Sequence, residues 1–118
     1  MKYAIISDIH ANWEALSVVL DKCAEVGVEK YVCLGDIVGY NADPQKCLDK
    51  IRSLDLIGVV KGNHDEYASN DDQEMEGFNA HAKQAVIWTK TQLTDEGRQY
   101  LSNLPMRATI RGTNITAV

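Results

Sequence analysis

Three short apolar runs, Tyr3 to Ile6, Tyr31 to Leu34 and Leu56 to Val60, are rich in β-branched or aromatic residues. Continuous apolar runs of this length are the pattern of strands buried on both faces of a parallel sheet. Between them the period changes to that of helices. After Asn12, a candidate N-cap, Leu16, Val19, Leu20 and Cys23 recur at helical spacing, and Gly27 stands where a left-handed C-terminal cap is needed. Asp43-Pro44 reads as an N-cap followed by proline at the first helical position, and Cys47, Leu48, Ile51 and Leu54 then form an apolar stripe. The order is βαβαβ, which implies right-handed crossovers. Glu66 to Gly77 is polar and acidic, with Asp71, Asp72, Glu74 and Glu76, and reads as a solvated loop. Phe78, Ala82, Ala85, Val86, Thr89 and Leu93 mark a third helix; Thr94 is placed to cap a shorter one, and Pro105 follows its end. Ala108 to Ile110, a turn over Arg111 to Asn114, and Ile115 to Val118 predict a β-hairpin.

Composition narrows the class without naming a function. With 118 residues, 45% hydrophobic and 25% charged, the chain is one soluble globular domain at most. Twelve basic against 17 acidic side chains, a formal charge of −5, argue against a nucleic-acid duplex or an anionic membrane surface as main partner. A small phosphorylated substrate remains compatible with that charge. No apolar run approaches the roughly 18 residues a membrane span needs, and the start MKYAII lacks the features of a secretory signal. Cys23, Cys33 and Cys47 cannot all pair and have no metal-binding spacing, which fits a reducing cytoplasm.

The chemistry-bearing residues follow the strands. Ser7-Asp8-Ile9-His10 comes after the first, Gly35-Asp36-Ile37-Val38-Gly39 after the second, and Gly62-Asn63-His64-Asp65 after the third. In an open α/β sheet the carboxyl ends of the strands border the ligand crevice, so these loops are expected to converge. The spacing agrees: 26 residues separate His10 from Asp36 and 27 separate Asp36 from Asn63, each about one βα repeat. Asp8 and His10, one residue apart, can offer a carboxylate and an imidazole to one ion, and Asp36 can bridge two ions about 3.5–4 Å apart. Asn63 adds a neutral carbonyl oxygen. Mixed N and O donors without thiolate suit manganese, iron, zinc or nickel better than calcium. Gly35 and Gly62 are read as places where a Cβ would crowd the site.

SDIHAN, GDIVGY and GNHD, in this order and at these spacings, resemble the calcineurin-like metallophosphoesterases; NAHAKQAVIWTKTQL and Leu104-Pro105 resemble the small bacterial and archaeal branch. The resemblance implies an αββα sandwich and two divalent metal ions. It implies that Asp8 and His10 ligate the first ion, Asp36 bridges and Asn63 ligates the second. His64 would lie at the substrate phosphate, oriented by Asp65, as the catalytic pair. The implied activity is hydrolysis of a phosphomonoester or phosphodiester by a water activated by two metals. Family members also carry a later His and a Gly-His-x-His motif, whereas this chain holds only His10, His64 and His81. Residues 1–118 are thus expected to be a truncated, N-terminal half of such a domain, with an incomplete ligand set and impaired activity.

The alternatives are ordinary ones. Asp8 and Asp36 can cap turns, and His81 reads as a helix or surface residue rather than a ligand. Trp13, Trp88 and the cysteines read as packing residues. Tyr40 and Asn41, just past the second loop, are candidates to touch substrate or plain loop residues. A non-catalytic metal-binding or scaffold module of the same fold is the rival to an enzyme. An apolar strand near the end of the chain also predicts an open edge, and hence a homo-oligomer in which the C-terminal hairpin meets another copy.

Overall fold

The computed structural model describes residues 1–70, 77–110 and 112–118; the acidic run Asp71, Asp72, Glu74 and Glu76, and Arg111 of the terminal turn, lie outside them. Strand β1 (Lys2–Ile6), helix α1 (Trp13–Glu25), β2 (Val28–Cys33), α2 (Pro44–Ser53) and β3 (Leu56–Val59) reproduce the expected βαβαβ order. The three strands form one parallel sheet in the order β1-β2-β3.

Local chemistry accounts for the helix ends. Asn12 caps α1, its side-chain oxygen accepting the Ala15 N–H at 3.1 Å, and Gly27, at φ 83°, turns the chain out of it. Asp43 occupies the cap position of α2 without a side-chain capping bond, so Pro44 at the first turn is the effective start signal. One prediction is corrected here. The polar stretch read as a loop from Glu66 begins inside a helix, α3 (Asn63–Ser69), whose acidic residues Asp65 and Glu66 sit in the first turn, where the helix dipole favours negative charge. Helices α4 (Ala80–Gln92) and α5 (Asp95–Ser102) follow, capped by Asn79 and Thr94 through bonds of 2.8 and 2.9 Å to Ala82 and Gly97. The terminal hairpin is short, β4 (Ala108–Thr109) against β5 (Thr116–Ala117).

The sheet has two unequal faces. On one, Tyr31 and Cys33 of β2 pack with Leu16, Leu20, Cys47, Leu48, Ile51 and Leu101, joining α1, α2 and α5 in the main core. On the other, Val32 and Val60 pack against Ile110 and Ala117, so the hairpin lies over β2 and β3. It does not reach β1. Ile5, beside Val32 in the register, is 55% exposed, and Tyr3 is 43% exposed. Among the described residues no helix is long and apolar enough to cross a membrane.

The cysteines are packing residues as expected: Cys33 and Cys47 are fully buried, and Cys23 is half-buried against the same core. Burial pushes the Cys33 thiol up to about 12 and the Cys47 thiol up to about 11. At pH 8 their thiolate fractions are therefore roughly one in a thousand or less. Iodoacetamide at pH 8 should label Cys23 first, and Cys33 and Cys47 only once the chain is unfolded in guanidinium. Peptide mass mapping reads this out, and rapid native labelling of Cys33 would contradict the packing.

Candidate metal centre

The loops after β1 and β2 are laced together by backbone bonds. The N–H groups of Asp8, His10 and Ala11 donate to the carbonyls of Gly35, Asp36 and Ile37 at 3.1, 2.8 and 2.8 Å. The third loop joins through one side chain. Asp65, at the third position of α3, is fully buried, and its carboxylate accepts N–H bonds from Asp36 (2.8 Å), Ile37 (3.0 Å), Val38 (3.3 Å) and Gly62 (3.0 Å). Burial pushes this carboxyl up to about 6, a rise that the amide bonds partly offset.

These constraints bring together Asp8, His10 and Asp36, whose ligand atoms all lie within 4.8 Å of one another. The imidazole of His10 is oriented from behind: its Nδ1 lies 3.1 Å from the Val38 carbonyl, which can only accept, so Nδ1 carries the proton. Its Nε2 is left as the donor atom facing Asp8 Oδ1, at 3.3 Å. The Ser7 hydroxyl, 2.6 Å from Asp8 Oδ2, holds the Asp8 carboxyl below its usual range, and His10 adds to the effect. Asp36 Oδ1 accepts the His64 N–H at 3.1 Å, which fixes its side chain between the second and third loops. Asn63 is the first residue of α3 and is exposed.

His64 is 5% exposed, and its Nδ1 has no hydrogen-bond partner among the described residues. Burial holds its imidazole below the ordinary histidine value. Its ring is flanked by His10, Tyr40 and Phe78, with centroids 4.7, 4.6 and 4.6 Å away. Asp65 does not orient it: that carboxylate is engaged with four backbone amides, so its part is to hold the loops. His81 is exposed on α4, outside the cluster. Tyr40 borders His10, at 5.0 Å between centroids, and Asn41 Nδ2 donates to the His10 carbonyl at 2.9 Å.

The backbone is strained around these residues. Asp8, His10, Ala11, Asp36 and Tyr40 all have positive φ, between 48° and 65°, a region costing non-glycine residues roughly 1–2 kcal/mol each. Gly35 needs its φ of 94°, and a Cβ there would also meet the Val60 carbonyl oxygen at 2.8 Å; at Gly62 a Cβ would collide with the Asp36 carboxylate. No sequence signal marks the strain at Ala11 or Tyr40.

Comparison with known proteins gives this geometry its context. The model of the calcineurin-like phosphoesterases matches residues 1–117. The chain belongs to the calcineurin-like phosphoesterase family. That family is divalent-metal dependent, and Asp8, His10 and Asp36 supply a partial ligand group of the required N and O chemistry. An uncharacterized protein of Methanocaldococcus jannaschii is 44% identical over 103 residues, 87% of this chain and 42% of its own length. A metallophosphoesterase from Sphaerobacter thermophilus has the same fold, with TM-score 0.75 and 41% identity, over 92% of this chain and 43% of that one. A hypothetical protein from Pyrococcus horikoshii gives TM-score 0.74 and 26% identity, over 88% of this chain and 48% of that one. The chain thus spans less than half the length of each of these three proteins.

Replacing Asp65 with alanine removes the acceptor of four amides at once. Asp65→Ala should lower unfolding stability by roughly 3 kcal/mol or more, and Asp65→Asn, which keeps one carbonyl oxygen, by less. Urea titration followed by circular dichroism measures both, and an unchanged midpoint for Asp65→Ala would mean the loops are held by something else.

Proposed function

We propose that this chain carries part of the catalytic centre of a metal-dependent hydrolase of small phosphoesters, monoester or diester. The observation that carries the reading is the convergence of Asp8, His10 and Asp36 donor atoms within 4.8 Å, with His10 Nε2 turned toward Asp8 by the bond from Nδ1 to Val38. Asp8, His10 and Asp36, together with Asn63 at the start of α3, are the residues to hold divalent ions, of which manganese, iron, zinc and nickel match the donors. Such ions supply neutralisation of phosphoryl oxygens and a lowered pKa for a bound water. His64, whose backbone N–H is bound to Asp36 Oδ1 and whose ring lies 4.7 Å from that of His10, is placed by this reading at the phosphate, where it donates a hydrogen bond or protonates the leaving oxygen. Asp65 acts through the backbone that carries Asp36. The free cysteines are compatible with a cytoplasmic setting.

Three or four donors are few for two ions, so the chain by itself should bind divalent cations weakly. Calorimetry with Mn2+ and Zn2+ should give a small heat that vanishes in His10→Ala and persists in His81→Ala. A metal panel with generic phosphomonoester and phosphodiester substrates, run on this chain and on a version extended past Val118, tests turnover. His64→Ala in an active form should reduce kcat roughly 10²–10⁴-fold with little change in metal content. Tight binding of two ions by the isolated monomer would contradict the incomplete ligand set, and metal binding with no turnover in either form would favour the scaffold reading.

We further propose that the chain self-associates, through a different face from the one the hairpin suggested. Ile110 and Ala117 of the hairpin are already buried on the sheet, whereas β1 leaves Tyr3 and Ile5 uncovered at an edge, with Val18 and Val19 exposed on α1. Light scattering across a dilution series should show a mass above the monomer that falls on dilution and in Ile5→Asp. A monomer at every concentration would refute it.

A further inference from the structure

We propose that Tyr40 determines leaving-group specificity at this site, its half-exposed ring stacking on a planar aromatic leaving group of the phosphoester. The inference rests on the phosphoesterase reading above and deepens it. Four rings form a file across the third loop: Tyr67 and Phe78 are 4.8 Å apart, Phe78 and His64 4.6 Å, and His64 and Tyr40 4.6 Å. His64 is buried between its neighbours and Tyr67 and Phe78 are half-buried, so Tyr40, 52% exposed, is the member that meets solvent. The same ring stands 5.0 Å from that of His10. It therefore borders both the proposed metal donors and the residue assigned to phosphate.

Tyr40 is not there as core packing, and its position is not a relaxed one. Its φ of 65° is unfavourable for a bulky side chain and persists only where the surroundings impose it. They do so on both sides. Gly39 approaches His64 so closely that a Cβ would lie 2.5 Å from Nδ1, and Asn41 ties its N–H to the Gly39 carbonyl at 2.8 Å and its amide to the His10 carbonyl at 2.9 Å. The loop thus holds an exposed aromatic ring rigidly beside the donors. Aromatic pairs are attractive at centroid separations of about 4.5–7 Å. With a phosphoryl group at Asp8, His10 and Asp36, the ring of an aryl or nucleobase-type leaving group falls within that reach of Tyr40, and an alkyl group has no ring to stack.

Non-hydrolysable anions test this without turnover. Phenylphosphonate and methylphosphonate are titrated into the chain in the presence of Zn2+, following tyrosine and histidine ring protons by NMR. Phenylphosphonate should bind roughly five- to tenfold tighter than methylphosphonate. Tyr40→Phe should keep that preference, and Tyr40→Asn, which tolerates left-handed backbone but has no ring, should abolish it without weakening methylphosphonate. Equal binding of the two anions, or a preference that survives in Tyr40→Asn, overturns the role of Tyr40 and leaves the phosphoesterase reading standing. Binding of neither anion overturns the role of Tyr40, and the phosphoesterase reading is judged separately by turnover of the form extended past Val118.

Discussion

The arrangement of the site depends on one buried carboxylate. Asp65 takes hydrogen bonds from Asp36, Ile37, Val38 and Gly62, and so fixes the loop after β2 against the start of α3. What it fixes then fixes the rest. Asp36 and Ile37 offer their carbonyls to His10 and Ala11, and the Val38 carbonyl holds the His10 ring. The candidate metal donors on the first loop are therefore positioned by a residue outside that group, 55 positions or more further along the chain. A neutral acceptor at position 65 would make weaker bonds, because charge-assisted hydrogen bonds are roughly twice as strong as neutral ones.

This anchoring offsets the strained backbone. Residues with positive φ alternate with residues buried in the apolar core: Ile9 lies between Asp8 and His10, while Ile37 and Val38 follow Asp36 and are fully buried. The apolar side chains and the amide bonds hold the loops in conformations that isolated peptides avoid, and the donor side chains project from those conformations. Two constraints act on adjacent residues, one through packing and the other through hydrogen bonding. The consequence is that the Asp8, His10 and Asp36 ligand atoms are held together by the loops themselves.

The sequence makes the scaffold legible and the anchoring largely invisible. Continuous apolar runs locate β1 to β3, and Asn12, Pro44 and Thr94 stand at the helix starts, because these signals are local. The clusters at the strand ends identify Asp8, His10 and Asp36 for the same reason: one βα repeat brings each to the same edge. α3 is hidden because it is short and polar, and its stability comes from Asp65 and from packing of Ala68 rather than from an apolar stripe. Asp65 beside His64 reads as an orienting residue, yet three of its four partners are backbone amides 27 to 29 positions earlier, a relation no local pattern carries. Tyr40 is conspicuous only once its φ and its two imidazole neighbours are known.

The site is also asymmetric, and the topology explains why. Toward β3 it is closed: His64 and Asp65 are buried, and the hairpin covers the opposite face of β2 and β3. Toward β1 it is open. The Asp8 side chain is 64% exposed against 18% for His10, and beside it runs a groove of about 330 Å3 lined by Ile5, Ser7, Asp8, Leu16 and Val19. Since β1 is an edge strand and the α1 side of it is apolar, a polypeptide pairing with that edge would bury Ile5 and Val19 and reach Asp8 in the same step. The candidate donors are therefore open on the side that faces β1, while the side toward β3 is filled by the buried His64 ring and by the Asp65 carboxylate that holds the loops together.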